Sequence, residues 1–455
     1  MFWAETHLAV VTGTLLVLIA AVLILQQRRS PQSSVAWLMF LVMLPWVGVP
    51  LFLVLGFRKQ RASYAKIRYD KLPVGAVAET AAPLADLFAR FGLPEAQEGH
   101  AFTLLADGTE AHEALMGLVA RAETRIDALF YIVADDAVGR HFVEALTERA
   151  RAGVAVRLIL DRLGSLRHPA RALRDLKKAG GEVHYFSPFL QWPARGHFNL
   201  RNHRKMVIVD GAAVFAGGRN IGCEYLGPEA DPARWNDLSF LMRGPAVQCF
   251  EDVFLSDWQV LDPQPLAAPL PCAPQVPGGA VAQLVPSGPD SREDALHDAL
   301  VHAIHRAETR VWIATPYFLP TEMLTNALAT AARRGVDVRL MLPERSNQRV
   351  ADIARGAYLR EMGRVGCQVL RYQGGMLHAK MGILDDAAYI GSANFDVRSM
   401  LLNFEATLFL YDPASVEGLA GWFTAQEARC TRGINRAGLV RRLSEGVFRL
   451  GAPIL

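Results

Sequence analysis

The chain has 455 residues, 51% of them hydrophobic, and a formal net charge of +3. It is long enough for two or three domains with sizeable cores, and it lacks the cationic excess of a chain built chiefly to neutralise nucleic acid. Its five cysteines (Cys223, Cys249, Cys272, Cys367, Cys430) are scattered, odd in number and in no metal-ligand spacing. That argues against a disulfide framework or a cysteine-based metal site.

Two uncharged apolar runs come first, residues 8–25 and 35–57. At helical rise each crosses roughly 27–35 Å, a hydrocarbon thickness. The opening "MFWAETH" has no Lys or Arg, so the first run is no ordinary signal peptide. A transmembrane hairpin over 1–60 is expected, with Pro45 and Pro50 leaving a kinked or re-entrant second segment open. The connecting loop carries Arg28 and Arg29. Arg58, Lys59, Arg61, Lys66, Arg68 and Lys71 follow the second run. This balance predicts a multi-pass membrane protein with both chain ends in the cytoplasm and the loop outside, with the basic cluster against an anionic membrane surface.

Residues 61–100 read as a juxtamembrane basic segment and linker with a short helix. Beyond them the sequence repeats itself. "ARAETRIDALFYIVADDAVGRHFVEALTERARAGVAVRLILD" (120–161) parallels "HRAETRVWIATPYFLPTEMLTNALATAARRGVDVRLMLP" (305–343). Each has strand, helix, Gly-Val and strand again, the signature of an α/β unit with a mixed or parallel sheet flanked by helices. We expect one half-domain over 101–262 and another over 286–455, with C-terminal helices. The Pro-rich stretch 263–285 separates them as a linker.

Each half carries the same short motif, "NHRKMVIVDG" (202–211) and "LHAKMGILDD" (377–386). Only seven of the 48 basic residues are Lys, so a Lys retained at each copy of H-x-K-x4-D is informative, because the two cations differ physically. The candidate catalytic set is His203, Lys205, Asp210, His378, Lys380 and Asp385. Along a strand His203 and Lys205 share a face, as do His378 and Lys380. Asp210 and Asp385 lie at an odd spacing from their histidines and read as structural groups at strand ends. "GGRN" and "GSAN" follow, offering Gly218, Asn220, Ser392 and Asn394 as candidates for binding a substrate phosphate. Two such pairs facing each other make a complete phosphodiester site. One imidazole attacks phosphorus and the other protonates the departing alkoxide, while the lysines and asparagines hold the negative oxygens. No metal is required, since the lysines supply the positive charge. A nucleophilic imidazole needs an acceptor behind its far nitrogen. Asp237 is the expected partner of His203, and Glu405 of His378.

Paired H-x-K-x4-D motifs with trailing G-[GS]-x-N resemble the phospholipase D superfamily. "RNHRKMVIVDGAAVFAGGRNIGCEYLG", "GMLHAKMGILDDAAYIGSANFDVRSMLLNFE", "RRSPQSSVAWLMFLVMLPWVGVPLFLVLGFRK" and "RLGAPIL" are similar to bacterial cardiolipin synthases of the membrane-anchored type. The resemblance implies two pseudo-twofold-related halves, no cofactor, and phosphatidyl transfer between two phosphatidylglycerols to give cardiolipin and glycerol. It implies His203 as nucleophile and His378 as general acid. Asp385 and Gly391 are one residue closer than is usual in relatives, so a tighter turn is expected there. Asn347 in "ERSNQR" takes no role.

Some features stay open. "GSLRHPARALRDLKK" (164–178) is a headgroup-binding stretch or a solvated helix. His197 falls in a loop near the substrate, and Phe189 and Trp192 face lipid or core. The Arg-rich tail (Arg429, Arg432, Arg436, Arg441, Arg442) is an amphipathic surface helix or packs on the domain. The competing functions are a phospholipase-type hydrolase with water as acceptor, and a scaffold with relic motifs. The scaffold predicts loss of a His or Lys, and all four are present. The partners expected are phospholipid substrates, phosphatidylglycerol first, and not nucleic acid.

Overall fold

The computed structural model describes residues 2–26, 31–56, 64, 66–69, 83–186, 200–263, 276–291, 293–434 and 437–450. Seventeen strands and fourteen helices are assigned among them. The first half has β1 (Gln97–Leu105), β2 (Arg125–Phe130), β3 (Ala155–Asp161), β4 (Glu182–Phe186), β5 (Met206–Val209), β6 (Ala213–Gly217) and β7 (Ser239–Arg243). The second has β8 (Ala280–Ser287), β9 (Arg310–Ala314), β10 (Phe318–Leu319), β11 (Asp337–Pro343), β12 (Gln368–Tyr372), β13 (Met381–Leu384), β14 (Ala387–Gly391), β15 (Phe395–Asp396), β16 (Glu405–Leu410) and β17 (Cys430–Arg432).

Fifteen strands form one sheet in the order β17-β12-β11-β9-β13-β14-β16-β8-β1-β7-β6-β5-β2-β3-β4. The order is nearly palindromic about the antiparallel β8–β1 join. In each half a parallel trio, β2-β3-β4 or β9-β11-β12, gives way to an antiparallel meander. The expected mixed α/β architecture is therefore present twice. β2 and β3 are buried almost throughout, as strands covered on both faces must be.

Three helices, α1 (Phe2–Gln26), α2 (Pro31–Met43) and α3 (Pro45–Leu55), precede α4 (Pro83–Arg90). In the first half come α5 (Gly108–Ala120), α6 (Ala137–Arg151), α7 (Ala170–Lys178) and α8 (Val247–Leu261). The second half has α9 (Ala295–Arg306), α10 (Glu322–Arg333), α11 (Arg349–Arg364), α12 (Val397–Leu401), α13 (Pro413–Glu427) and α14 (Leu439–Leu450). Side-chain caps start several of them. Asp107 accepts from Thr109 N, Asp136 from Gly139 N, Thr321 from Leu324 N and Asp412 from Ser415 N. One core runs through both halves, joining Phe240, Phe250 and Phe254 to Leu377, Met381, Phe404 and Phe423. The halves thus share buried apolar surface at the place where the two motifs meet.

Three expectations change. Among the described residues no helix is long and apolar enough to cross a membrane, so the transmembrane hairpin is not confirmed. The second apolar run is cut at Leu44 into α2 and α3, because Pro45 starts a new helix. In α1, described side chains begin at His7 and are continuous only from Val10. The juxtamembrane segment is not all free cation. Lys66 Nζ donates to the carbonyls of Pro289 and Ser291, and Tyr64 packs edge-on against Phe404 with ring centroids 5.2 Å apart. The stretch assigned to the linker becomes strand already at Ala280. Arg28, Arg29, Arg58, Lys59, Arg61, Lys71, Phe189, Trp192, His197, Cys272 and Arg436 lie outside the described residues.

Candidate active site

The two histidine segments are built by pairing across the halves. Residues 200–205 lead into β5 as extended chain, and Asn202 bridges in parallel to Phe404 of the other half. His203 N donates to Phe404 O at 2.9 Å, and Phe404 N to Arg201 O at 2.9 Å. The mirror arrangement joins Asn236 to Leu377: His378 N donates to Asn236 O at 2.7 Å, and Asn236 N to Met376 O at 2.8 Å. Each histidine is therefore held by the backbone of the opposite repeat.

The same crossing decides the carboxylates. His203 Nδ1 lies 3.0 Å from both oxygens of Glu405, and His378 Nδ1 lies 2.6 Å from Asp237 Oδ2. This reverses the expected pairing of Asp237 with His203 and Glu405 with His378. Asp237 leads into β7 and Glu405 opens β16, each two strands from its own half's histidine strand. The pseudo-twofold packing brings the opposite half's histidine closer. An ionised carboxylate only accepts, so each Nδ1 carries the proton and each Nε2 keeps its lone pair.

Both histidines line one cavity of about 500 Å³, with Asn220 and Asn394 in its wall. Gly218 and Ser392, expected at the phosphate, stand behind the carboxylates instead. A Cβ on Gly218 would sit 2.3 Å from Asp237 Oδ1, so only glycine fits there. Ser392 Oγ donates to Glu405 Oε2, and Ser399 Oγ to Glu405 Oε1 at 2.8 Å. Asp210 and Asp385 do not reach the cavity, which corrects their place in the catalytic set. Each occupies a left-handed conformation, with φ of 53° and 52°. Asp210 accepts from the amides of Glu123, Thr124 and Arg125 and the Thr124 hydroxyl, and Asp385 from those of Glu308, Thr309 and Arg310 and the Thr309 hydroxyl. They lock each motif's turn onto the start of the neighbouring antiparallel strand, β2 or β9. Three residues join β5 to β6 and two join β13 to β14, the tighter turn that the spacing predicts.

A family model described as cardiolipin synthase, PLD-like domain, matches residues 115–258 and 300–426, and one described as phospholipase D-nuclease N-terminal matches 15–56. The chain is 32% identical to a cardiolipin synthase of Geobacillus kaustophilus, over 96% of this chain and 92% of that one. It is 34% identical to cardiolipin synthase A of Pseudomonas fluorescens, over 96% of each. The chain belongs to the cardiolipin synthase family of the phospholipase D superfamily. The fold resembles a phosphatidylserine synthase from Haemophilus influenzae, at a TM-score of 0.61 and 14% identity over 82% of this chain and all of that one. It also resembles, at the level of fold, a polyphosphate kinase from Porphyromonas gingivalis, with a TM-score of 0.50 and 12% identity over 78% and 56% of the two chains.

In this cardiolipin synthase-family site all four motif side chains are buried, and burial sets their protonation. Burial, then Lys380, pushes His378 down to about 3 against the pull of Asp237. Burial also lowers His203, with Glu405 opposing and Lys205 adding to the shift. Lys205 falls to about 7 and Lys380 to about 8, burial leading in both. Burial would raise Asp237, but Lys380 and His378 outweigh it and hold it below its ordinary value. The ligand-free site thus has neutral imidazoles, an ionised Asp237 and lysines poised to become fully charged when an anion arrives.

The environment around this core is lopsided. On the His203 side stands Tyr131, whose ring meets His203 edge-on at 5.1 Å, with Arg201 and Arg398 close enough to act on its hydroxyl and themselves facing Asp161 and Asp396. On the His378 side stand Tyr225 and Trp235, with ring centroids 5.4 and 5.2 Å from the imidazole. Asn347, given no role from sequence, lines the cavity and accepts from Tyr317 Oη at 2.5 Å. The sequence held a clue to Arg201: it shares the alternating face of His203 and Lys205. Nothing local marks Arg398 or Trp235.

Proposed function

We propose that the chain transfers a phosphatidyl group from one phosphatidylglycerol to the primary hydroxyl of a second, giving cardiolipin and glycerol. The observation that carries this reading is a pair of imidazoles on one cavity, each with Nδ1 held by a buried carboxylate and each beside a buried lysine.

His203 Nε2 attacks phosphorus and the phosphorus–glycerol bond breaks. His378 delivers a proton to the departing glycerol oxygen, forming a phosphatidyl-histidine intermediate. Lys205 and Lys380, with Asn220 and Asn394, balance the charge on the equatorial oxygens. The anionic phosphodiester offsets the two lysines that depress His378, so that substrate binding raises its proton affinity. In the second half-reaction His378 removes the proton of the incoming hydroxyl, whose oxygen displaces His203 from phosphorus. The acceptor is itself an anionic phosphodiester. Arg201 and Arg398 in the cavity wall supply positive charge for it.

Residues 101–262 and 286–455 are the two catalytic halves in this reading. The N-terminal apolar helices anchor the enzyme in the bacterial inner membrane, with the catalytic body on the cytoplasmic side. The uncharged run 8–25 and the exposed Leu15, Leu18, Leu25, Val42 and Met43 support the anchor. The test is incubation of the purified chain with phosphatidylglycerol and product analysis. Cardiolipin with equimolar glycerol supports transfer, whereas phosphatidic acid as the sole lipid product means that water is the acceptor.

A further inference from the structure

The C-terminal helix α14 is held in an unusual way. Its one fully buried side chain among those described is a carboxylate, Glu445. Glu445 enters α11 at Gly356, where a Cβ would come within 2.4 Å of its Oε1. It pairs there with Arg360, and with Arg441 at 3.0 Å. The polar face of the helix therefore docks on the protein. The apolar face points out: Leu439, Val440, Leu443 and Val447 are 74%, 81%, 62% and 65% exposed. A soluble helix normally buries the opposite stripe.

Two further observations adjoin this stripe. Arg360, Arg364, Arg432 and Arg442 line a single cavity of about 580 Å³ beside α14. Like charges so gathered repel, and the repulsion from Arg442, Arg441 and Arg364 adds to burial in lowering Arg360. Glu445 already pairs with Arg360 and Glu427 with Arg432; among the described residues Arg364 and Arg442 have no such carboxylate, and an external anion would relieve them. In addition, α11 runs from the catalytic cavity to α14. Gln348 and Ala351 at its start line the catalytic cavity, while Val350 and Ile353 beside them are exposed. Exposed Leu166 and Met323 follow the cavity-lining Gly164 and Leu319 in the chain. Exposed apolar side chains thus stand at the start of α11 beside the cavity and again on α14, which packs against α11 at Gly356, and arginines flank that far end.

We infer that α14 and the mouth of the catalytic cavity dock on an anionic bilayer surface, with the α14 stripe in the acyl boundary and Arg364 and Arg442 on phosphate headgroups. Exposed apolar residues beside gathered cations match a headgroup layer over hydrocarbon; they do not match a second protein copy, whose identical arginines would face them under twofold symmetry. The contact presents the cavity to its lipid substrate and is separate from the N-terminal anchor.

The test uses the full chain in nanodiscs of phosphatidylcholine with or without phosphatidylserine, read by hydrogen exchange. Amides of 439–450 and of the start of α11 are expected to exchange more slowly in the anionic discs. Leu443→Asp with Val447→Asp, and separately Arg364→Glu with Arg442→Glu, should remove that slowing. They should also raise the amount of vesicle phosphatidylglycerol needed for half-maximal rate by roughly tenfold, while turnover of short-chain, monodisperse phosphatidylglycerol is unchanged. Leu443→Ser with Val447→Ser must act in the same direction, which guards against unfolding by the aspartates. Exchange that ignores disc charge, or protection that rises with protein concentration in lipid-free detergent, overturns the proposal. Loss of short-chain turnover in the unsubstituted chain would instead sink the transferase reading and leave this one standing.

Discussion

The two repeats carry the same chemistry in different surroundings. His203 is backed by Glu405, whose two oxygens also accept from Ser392 and Ser399. His378 is backed by the shorter Asp237 at 2.6 Å, with glycine where the other repeat has serine. Arginines and one aromatic ring, Tyr131, stand on the His203 side, and two aromatic rings, Tyr225 and Trp235, on the His378 side. The difference teaches that pseudo-symmetry fixes the reacting core, while departures from it assign the roles. The imidazole beside Tyr225 and Trp235, pushed down to about 3 by burial and Lys380, gains its proton only once an anion is bound. The imidazole beside the arginines sits where a second anionic lipid is drawn.

The sharpest way to break this comparison is to remove each histidine. His203→Ala should abolish transfer, about 10³-fold or more, with no labelled intermediate trapped by acid quench. His378→Ala should lose as much with phosphatidylglycerol yet still form the intermediate from a p-nitrophenyl ester, whose leaving group needs no acid. An intermediate that survives in His203→Ala reverses the assignment. Next come the crossed carboxylates: Glu405→Gln and Asp237→Asn should each cost on the order of 10²–10⁴-fold in kcat. An activated leaving group should rescue Asp237→Asn and not Glu405→Gln. The opposite rescue pattern would mean that each carboxylate serves its own half.

Gly218→Ser should disable the enzyme nearly as fully, because the new side chain displaces the Asp237 carboxylate. Ser392→Ala removes the hydroxyl that donates to Glu405 and accepts from Ala406 N, and should cost about tenfold. Equal losses in the two would erase the asymmetry. Arg398→Gln should shift products from cardiolipin toward phosphatidic acid several-fold, measurable as their ratio, if the arginine side holds the acceptor. The pH dependence is subtler. Both lysines titrate below the ordinary amine range, so their positive charge is complete at low pH and is lost as pH rises through about 7 to 8. The imidazoles are lowered too, so the basic form of the nucleophile persists below the usual histidine range. The profile of kcat/KM should therefore fall on its alkaline side near 7 to 8 and hold up on its acid side. Flat behaviour to pH 9 would contradict the burial of the lysines.

How much was legible follows the range of the forces involved. Strand alternation is local, so the sequence alone determined that His and Lys share a face in each motif and that two copies exist; the odd spacing of Asp210 and Asp385 sets them off that face, although the shared motif draws them into the catalytic set. The mixed sheet followed from alternating strand and helix patterns, and the shorter second turn from counting residues. Only the tertiary structure decided that each histidine takes its carboxylate from the other repeat. That choice depends on how two bodies pack, and residues 202 and 404 are neighbours only after the shared core forms. The same holds for Lys66, which spacing assigned to headgroups and packing gave to the carbonyls at 289 and 291. It holds again for α14, where amphipathicity was written in the chain but a buried glutamate chose which face turns outward.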